Sequence, residues 1–214
     1  MTAAFAALYI ILVQVHYDLT YNRAIPDSER VYLMTLPSIN GGGTKQQSFL
    51  ARPVAEMGLA DNPYVETYGV AALDDVNKVN VIVGEGTEAK THSVTFAQMT
   101  SGALKTFGIQ AVMGSFEGIG EGGYVAISET AAERLGVAVD SVLQLESWGR
   151  TNYFVVRAIY KDLPTASDLQ NIEVIRCNQL ETQDLHSANN WSYNYFVKLR
   201  SADDRVLSEE MITA

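Results

Sequence analysis

Tyr124-Val125-Ala126-Ile127-Ser128-Glu129-Thr130-Ala131-Ala132-Glu133-Arg134-Leu135-Gly136 decides the fold class, because a β-like run passes straight into a capped helix. The reading is a helix over 128–136. Ser128 is placed to accept from free N–H groups of the first turn and Glu129 complements the helix dipole. Arg134 suits the last turn, and Gly136 supplies the left-handed exit. The surroundings are mostly strands. Downstream, Val142-Leu143-Gln144-Leu145 and Tyr153-Phe154-Val155-Val156 flank Gly149-Arg150-Thr151-Asn152, which reads as a hairpin. Upstream, 64–68, 79–83 and 92–96 alternate as half-buried strands do, with a turn at Gly84-Glu85-Gly86. Residues 99–107 are expected to form a short helix and 109–113 another strand.

Outward from this middle, 172–177 and 195–199 read as two more strands, and Asp203 to Ile212 as a helix. On the N-terminal side 30–36 reads as the first strand, followed by a loop from Pro37 to Thr44 around Gly41-Gly42-Gly43. A short helix is expected over 53–57, with Pro53 in its first turn and Gly58 ending it. Ala3 to Val13 is an unbroken apolar run. It is shorter than the roughly 20 residues a membrane span needs, and it lacks the basic start of a signal peptide. Three readings stand: a helix buried in the core, a damaged signal, or the outer end of a transmembrane helix. Tyr9, His16, Tyr17 and Tyr21 gather where the run turns polar, as at a membrane interface, and favour the last. Helix is expected to continue to Tyr21 and to stop before Pro26. The fold class is therefore α+β, strands in the majority, with a helix at each chain end.

A length of 214 residues suits one domain or two subdomains, and 47% hydrophobic content argues against disorder. The net charge of −10 leaves nothing to neutralise phosphates, so nucleic acid is excluded as a partner. A single cysteine, Cys177, excludes an internal disulfide and a thiolate zinc site, and its place in a strand-like run reads as a buried, inert thiol. Cysteine poverty fits the cytoplasm or a bacterial periplasm equally. His16, His92 and His186 are scattered without metal-ligand spacing. The glycine-rich stretches at 41–43, 84–86 and 118–123 match neither a P-loop nor a dinucleotide fingerprint and read as turns. Ser128 follows a strand but lacks the glycines of a nucleophile elbow, since Ala126 and Thr130 stand there. Glu66 with Asp74-Asp75 has no spacing that defines an acid and base, and Asn190-Trp191-Ser192 is a bare sequon. Tyr64, Tyr68, Trp148 and Trp191 are candidates for a contact surface, with core packing the favoured use of each. The expectation is a chain with no catalytic, cofactor-binding or metal-binding residues and with substrate-binding residues unassigned.

An ordered set of short motifs resembles the extracytoplasmic (periplasmic core) domain of MacB/FtsX-like ABC transporter permeases. His16-Tyr17-Asp18-Leu19-Thr20-Tyr21-Asn22-Arg23, followed by Asp27-Ser28-Glu29-Arg30-Val31-Tyr32, is similar to the family's stretch after its first transmembrane helix. Thr106-Phe107-Gly108-Ile109 to Gly114-Ser115-Phe116 comes next, and then Val125 to Gly136. Arg157-Ala158-Ile159-Tyr160-Lys161-Asp162-Leu163-Pro164 with Ser167, and finally Trp191 to Leu199, complete the order. The sequence departs from the family pattern at Leu33, at Ala158 where glycine is common, and at 137–141.

The resemblance implies residues 1–28 as the end of the first transmembrane helix and its stalk, and 29–75 plus 158–214 as a mixed α/β (Porter-like) subdomain formed by both chain ends. It implies 76–157 as an inserted β-rich (Sabre-like) subdomain, with the terminal helices as membrane stalks. It further implies a non-catalytic part of a bacterial inner-membrane permease, on the periplasmic side, coupling cytoplasmic ATP hydrolysis to movement for export, lipoprotein handling or mechanotransmission. Its partners would be a second permease copy or homologue, a cytoplasmic ABC ATPase, a periplasmic adaptor or lipoprotein, and the membrane through flanking helices. Two other readings compete: a free-standing periplasmic ligand-binding or interaction module, and an enzyme whose polar pocket holds strongly shifted titrating groups.

Overall fold

A computed structural model describes residues 2–37, 46–84, 89–147 and 150–213. The glycines at 41–43, Glu85 and Gly86, and Trp148 and Gly149 lie outside the described residues.

The chain begins with helix α1 (Thr2–Thr20) and passes through a 3-10 turn into β1 (Val31–Leu33). A two-residue ribbon, β2 (Leu36–Pro37) with β3 (Gln46–Gln47), leads to β4 (Phe49–Ala51), α2 (Arg52–Leu59) and β5 (Val65–Val70). The middle comprises β6 (Asn77–Val83), β7 (Lys90–Gln98), α3 (Ser101–Thr106), β8 (Ala111–Gly114), β9 (Tyr124–Ser128), α4 (Glu129–Leu135), β10 (Val142–Ser147) and β11 (Arg150–Tyr160). The chain closes with β12 (Val174–Arg176), α5 (Asn178–Thr182), β13 (Trp191–Leu199) and α6 (Arg205–Thr213).

Two sheets organise these elements. In the seven-stranded sheet, ordered β10-β6-β7-β12-β9-β11-β8, β10 also pairs with β11. Six of the strands therefore close a circuit, and β8 stands outside it on β11. Most pairings are antiparallel, while β9 with β11 and β7 with β12 are parallel. The alternation in β11 follows from the closure. Phe154 and Val156 point inward with Val81, Val94, Val125, Ile127, Leu143, Leu145 and Val174, and Ala131, Ala132 and Leu135 of α4 pack against them. The Ser128 side chain accepts from Ala131 N–H and Gly136 has φ 66°, so α4 is capped at both ends as the sequence requires.

The four-stranded sheet is built on β13, which pairs antiparallel with β1, β4 and β5. Along β13 the pleat separates two cores. Tyr193, Tyr195, Val197 and Leu199 face a cluster with Leu50, Ala55, Leu59 and Val70, while Phe196 packs against a second cluster. That second cluster joins the two sheets through Ala97, Met99, Leu104, Phe107, Ala158, Tyr160, Ile175 and Cys177. Backbones also meet there. A Cβ on Gly69 of β5 would stand 2.1 Å from Ala103 N, and one on Gly102 of α3 2.1 Å from Tyr68 O.

Several local expectations change. Gly58 does not end α2 but lies within it, and its bare Cα leaves room for Ile212 of α6, whose Cγ2 would be 3.3 Å from an added Cβ. Arg150, Thr151 and Asn152 are not a turn: they pair with Ser147, Glu146 and Leu145, because cross-strand pairing carries the hairpin nearly to its tip. Cys177 follows β12 and starts α5, a helix not anticipated from a segment so short and polar. The buried-core reading of the N-terminal run is overturned. Phe5, Leu8, Tyr9, Ile10, Ile11, Leu12, Val13, Val15 and Leu19 are all exposed, so none of these side chains enters a core among the described residues.

Candidate functional site

The described chain is held at both ends onto the four-stranded sheet, and that junction is the strongest candidate site. Where α1 ends, Asn22 adopts φ 63°, a left-handed conformation that its short amide side chain tolerates. Asn22 N–H donates to Ala166 O at 2.8 Å and its Nδ2 to Asp168 Oδ2 at 2.8 Å. Asp168 N–H returns a bond to Asn22 Oδ1 at 3.0 Å, and Tyr21 OH donates to Asp168 Oδ1 at 3.0 Å.

Next, four charged side chains close the corner between β1, β5 and β13. Arg30 Nη2 lies 2.8 Å from Asp27 and its Nη1 2.6 Å from Glu66. Lys198 Nζ stands 2.7 Å from Asp27 and 3.7 Å from Glu66. Arg30 Nη1 also donates to Leu199 O at 2.8 Å and Arg200 O at 3.0 Å, closing the end of β13. The Lys198 ammonium and then the Arg30 guanidinium hold Asp27 below the usual carboxylate range, and Arg30 does the same for Glu66.

The other chain end is seated on α2. Ile212 fills the space over Gly58, and Asn62 Nδ2 donates to Ser208 Oγ at 3.1 Å and Ser208 O at 3.3 Å. The Arg205 guanidinium lies 5.7 Å from the Tyr32 ring centroid, linking α6 to β1. Beneath this link a largely apolar groove of about 490 Å³ runs between Tyr32–Pro37 and α6.

A buried arginine ties α5 to the same sheet. Arg52 is only 4% exposed, and it donates to Leu180 O, to Gln183 O at 3.1 Å, to Tyr195 OH at 3.2 Å and to Glu56 at 2.9 Å. Burial, with Glu56 nearby, raises the Tyr195 phenol. Burial and then Asp184 push Tyr193 up to about 12. The Cys177 thiol is also raised by burial, which leaves it protonated and unreactive at neutral pH.

The residues weighed from the sequence do not converge. His16 is exposed on α1, His92 lies in β7 and His186 is exposed in a loop. Among the described residues no group of three His, Cys, Asp or Glu could hold a metal. Glu66 belongs to the ion cluster, whereas Asp74 accepts from Asn194 at 3.1 Å and Asp75 from Asn77. Asn190 of the sequon is tied to Asp184 at 2.7 Å. Tyr68 packs against the core of the four-stranded sheet, while Trp191 is 39% exposed. The ion cluster at Asp27, Arg30, Glu66 and Lys198 was missed in the sequence. Its one signal is Lys198, a charge inside the otherwise apolar run Tyr195 to Leu199.

No family model matches the sequence, and no curated protein matches it. Solved structures do match in fold. A domain assigned to a permease of Porphyromonas gingivalis superposes with a TM-score of 0.63 at 18% identity, over 85% of this chain and 82% of that one. The periplasmic region of MacB from Actinobacillus actinomycetemcomitans gives 0.56 at 11% identity, over 86% and 80%. The fold is that of a MacB-type extracytoplasmic domain. The extracellular domain of the noncanonic ABC-type transporter YknZ from Gram-positive bacteria gives 0.51 at 17% identity, over 82% and 86%. Among the described residues no helix is long and apolar enough to cross a membrane.

Proposed function

We propose that this chain is the extracytoplasmic domain of an ABC transporter permease of a bacterial inner membrane, without catalytic chemistry of its own. One observation carries the reading: a domain with the MacB-type fold holds out α1, whose residues 5–13 are apolar on every side and exposed. A helical stretch hydrophobic all round needs an apolar surround, either a protein core or a bilayer, and no core among the described residues supplies it. The mechanical role follows from the junction. Displacement of α1 passes through Asn22–Asp168 and the Asp27–Arg30–Glu66–Lys198 cluster into β13, and α6 reaches the same sheet through Gly58 and Asn62. The chain-end subdomain is the four-stranded sheet with α2 and α6. In this reading the inserted β-rich subdomain, 76–157, is built on the closed sheet, in which the end of β11 and β12 also pair. A second permease copy and a cytoplasmic ATPase complete the machine, and an adaptor or lipoprotein meets it in the periplasm.

The test is fractionation of the native protein followed by ATP turnover. The protein should sediment with membranes and co-purify with an ATP-hydrolysing subunit whose turnover falls when a disulfide locks Asn22 to Asp168. A protein recovered free of membranes and of any ATPase would overturn the reading in favour of a free-standing binding module.

A further inference from the structure

Helix α1 is seated on a loop whose two ends line a groove. The loop, 161–173, joins β11 to β12. Its middle carries α1. Ala166 O accepts from Asn22 N–H at 2.8 Å, and Asp168 exchanges two bonds with the Asn22 side chain, at 2.8 and 3.0 Å. Tyr21 OH adds another bond to Asp168 at 3.0 Å. Near the start of the loop, Asp162 accepts from Thr130 in the first turn of α4, from its N–H at 3.1 Å and from its hydroxyl. At the end of the loop, Glu173 N–H donates to Thr95 O at 2.9 Å and Glu173 Oε2 accepts from Thr95 N–H at 2.8 Å. Asp162, Thr130, Thr95 and Glu173 all line a groove of about 920 Å³ between the loop, α4 and β7.

Between the seat of α1 and Asp162 the loop has little slack. Ser167 is fully buried, and its Oγ donates to Pro164 O at 2.7 Å and accepts from Leu169 N–H at 3.3 Å. The ring of Pro164 fixes its own φ, and Leu163 packs against the core that joins the two sheets. The turn 162–168 is therefore short and bonded within itself. One of its carboxylates, Asp162, holds α4, and the other, Asp168, holds α1.

We propose that the seat of α1 controls the loop wall of this groove. While Asn22 holds Ala166 and Asp168, the turn keeps Asp162 on Thr130. Release of Asn22 frees that contact and opens the groove at α4. The control is reciprocal, because a coupling free energy between two sites acts equally in both directions. The proposal rests on the permease reading for what displaces α1, whereas the coupling is measurable without it.

The test is amide hydrogen exchange of the whole chain, purified in a mild detergent that covers α1. Asn22→Gly keeps the left-handed backbone at φ 63° and removes only the side-chain bonds to Asp168. Exchange at Thr130 N–H should rise about fivefold or more, while Val197 in β13 keeps its wild-type rate. Thr130→Val, which removes the hydroxyl that donates to Asp162, should in turn speed exchange at Asn22 N–H. The proposal is overturned if either amide keeps its wild-type rate, which would mean that Leu169, only 1% exposed, isolates the turn from α1. It is equally overturned if Val197 speeds up as much, which would make the effect one of overall stability. Neither result touches the permease reading, which fails separately if the native protein is recovered free of membranes and of any ATPase.

Discussion

Lys198 Nζ lies 2.7 Å from the Asp27 carboxylate, joining the last strand of the sheet to the segment that follows the N-terminal helix. The pair spans nearly the whole chain, and Arg30 and Glu66 complete it from two further strands or turns. A side chain that is only 9% exposed at Lys198 gives the ammonium little water to fall back on. Its partners are therefore needed where it sits.

The cluster gives a pH dependence with a defined sign. Asp27 and Glu66 are both held below their unfolded values by Lys198 and Arg30. Their contribution is thus present above the unfolded carboxylate values of about 4 and is lost as pH falls through the lower folded values. Urea midpoints of the wild type and of the Asp27→Asn/Glu66→Gln double variant should differ most at neutral pH and converge in acid.

Gly69→Ala should be among the most damaging single changes in the chain. The new Cβ would fall 2.1 Å from Ala103 N and 2.5 Å from Thr100 Oγ1, and backbone cannot swing aside as a side chain can. A loss of about 3 kcal/mol or more is expected from overpacking of this kind, read from urea denaturation.

Arg52→Met keeps the bulk and removes the donors that hold Leu180 O, Gln183 O, Tyr195 OH and Glu56. Loss of one partner from a buried ionic network costs about 3 kcal/mol. Protease cleavage near α5 should rise with it, because the carbonyls that Arg52 clasps are those of that helix and its exit.

Removal of residues 2–15 should leave the urea midpoint within error of the full chain, since the large side chains of that part of α1 are exposed and contribute nothing to any core. The same removal should abolish binding to neutral lipid vesicles, measured by co-flotation.

Ser128→Ala should cost about 1 kcal/mol by thermal melting, the usual consequence of deleting an N-cap acceptor. The substitution takes away the oxygen to which Ala131 N–H donates at 3.3 Å and leaves that first-turn donor without its cap.

Much of the fold was legible because local chemistry and tertiary context agree. The Ser128–Gly136 signal gives α4 nearly to the residue, and the alternation over 79–83 and 92–96 gives β6 and β7. Gly58 misled because glycine marks helix ends and close approaches alike, and only the position of Ile212 separates the two. The circuit of strands was not legible at all, since β12 is three residues long and inserts between two strands far from it in sequence. The ion cluster was hidden for the same reason: strand pairing alone brings Glu66 and Lys198 to the local Asp27–Arg30 pair. The ordered motifs did lead to the MacB-type fold, although no single one of them is specific.

The most direct test of the central claim is the side of the membrane on which this domain sits. Cys177 is fully buried, so an exposed Asp203→Cys change introduces the one accessible thiol among the described residues. Intact spheroplasts carrying the native protein with that change should be labelled by a membrane-impermeant maleimide as completely as lysed ones. Labelling that appears only after lysis would place the domain in the cytoplasm and contradict the permease account.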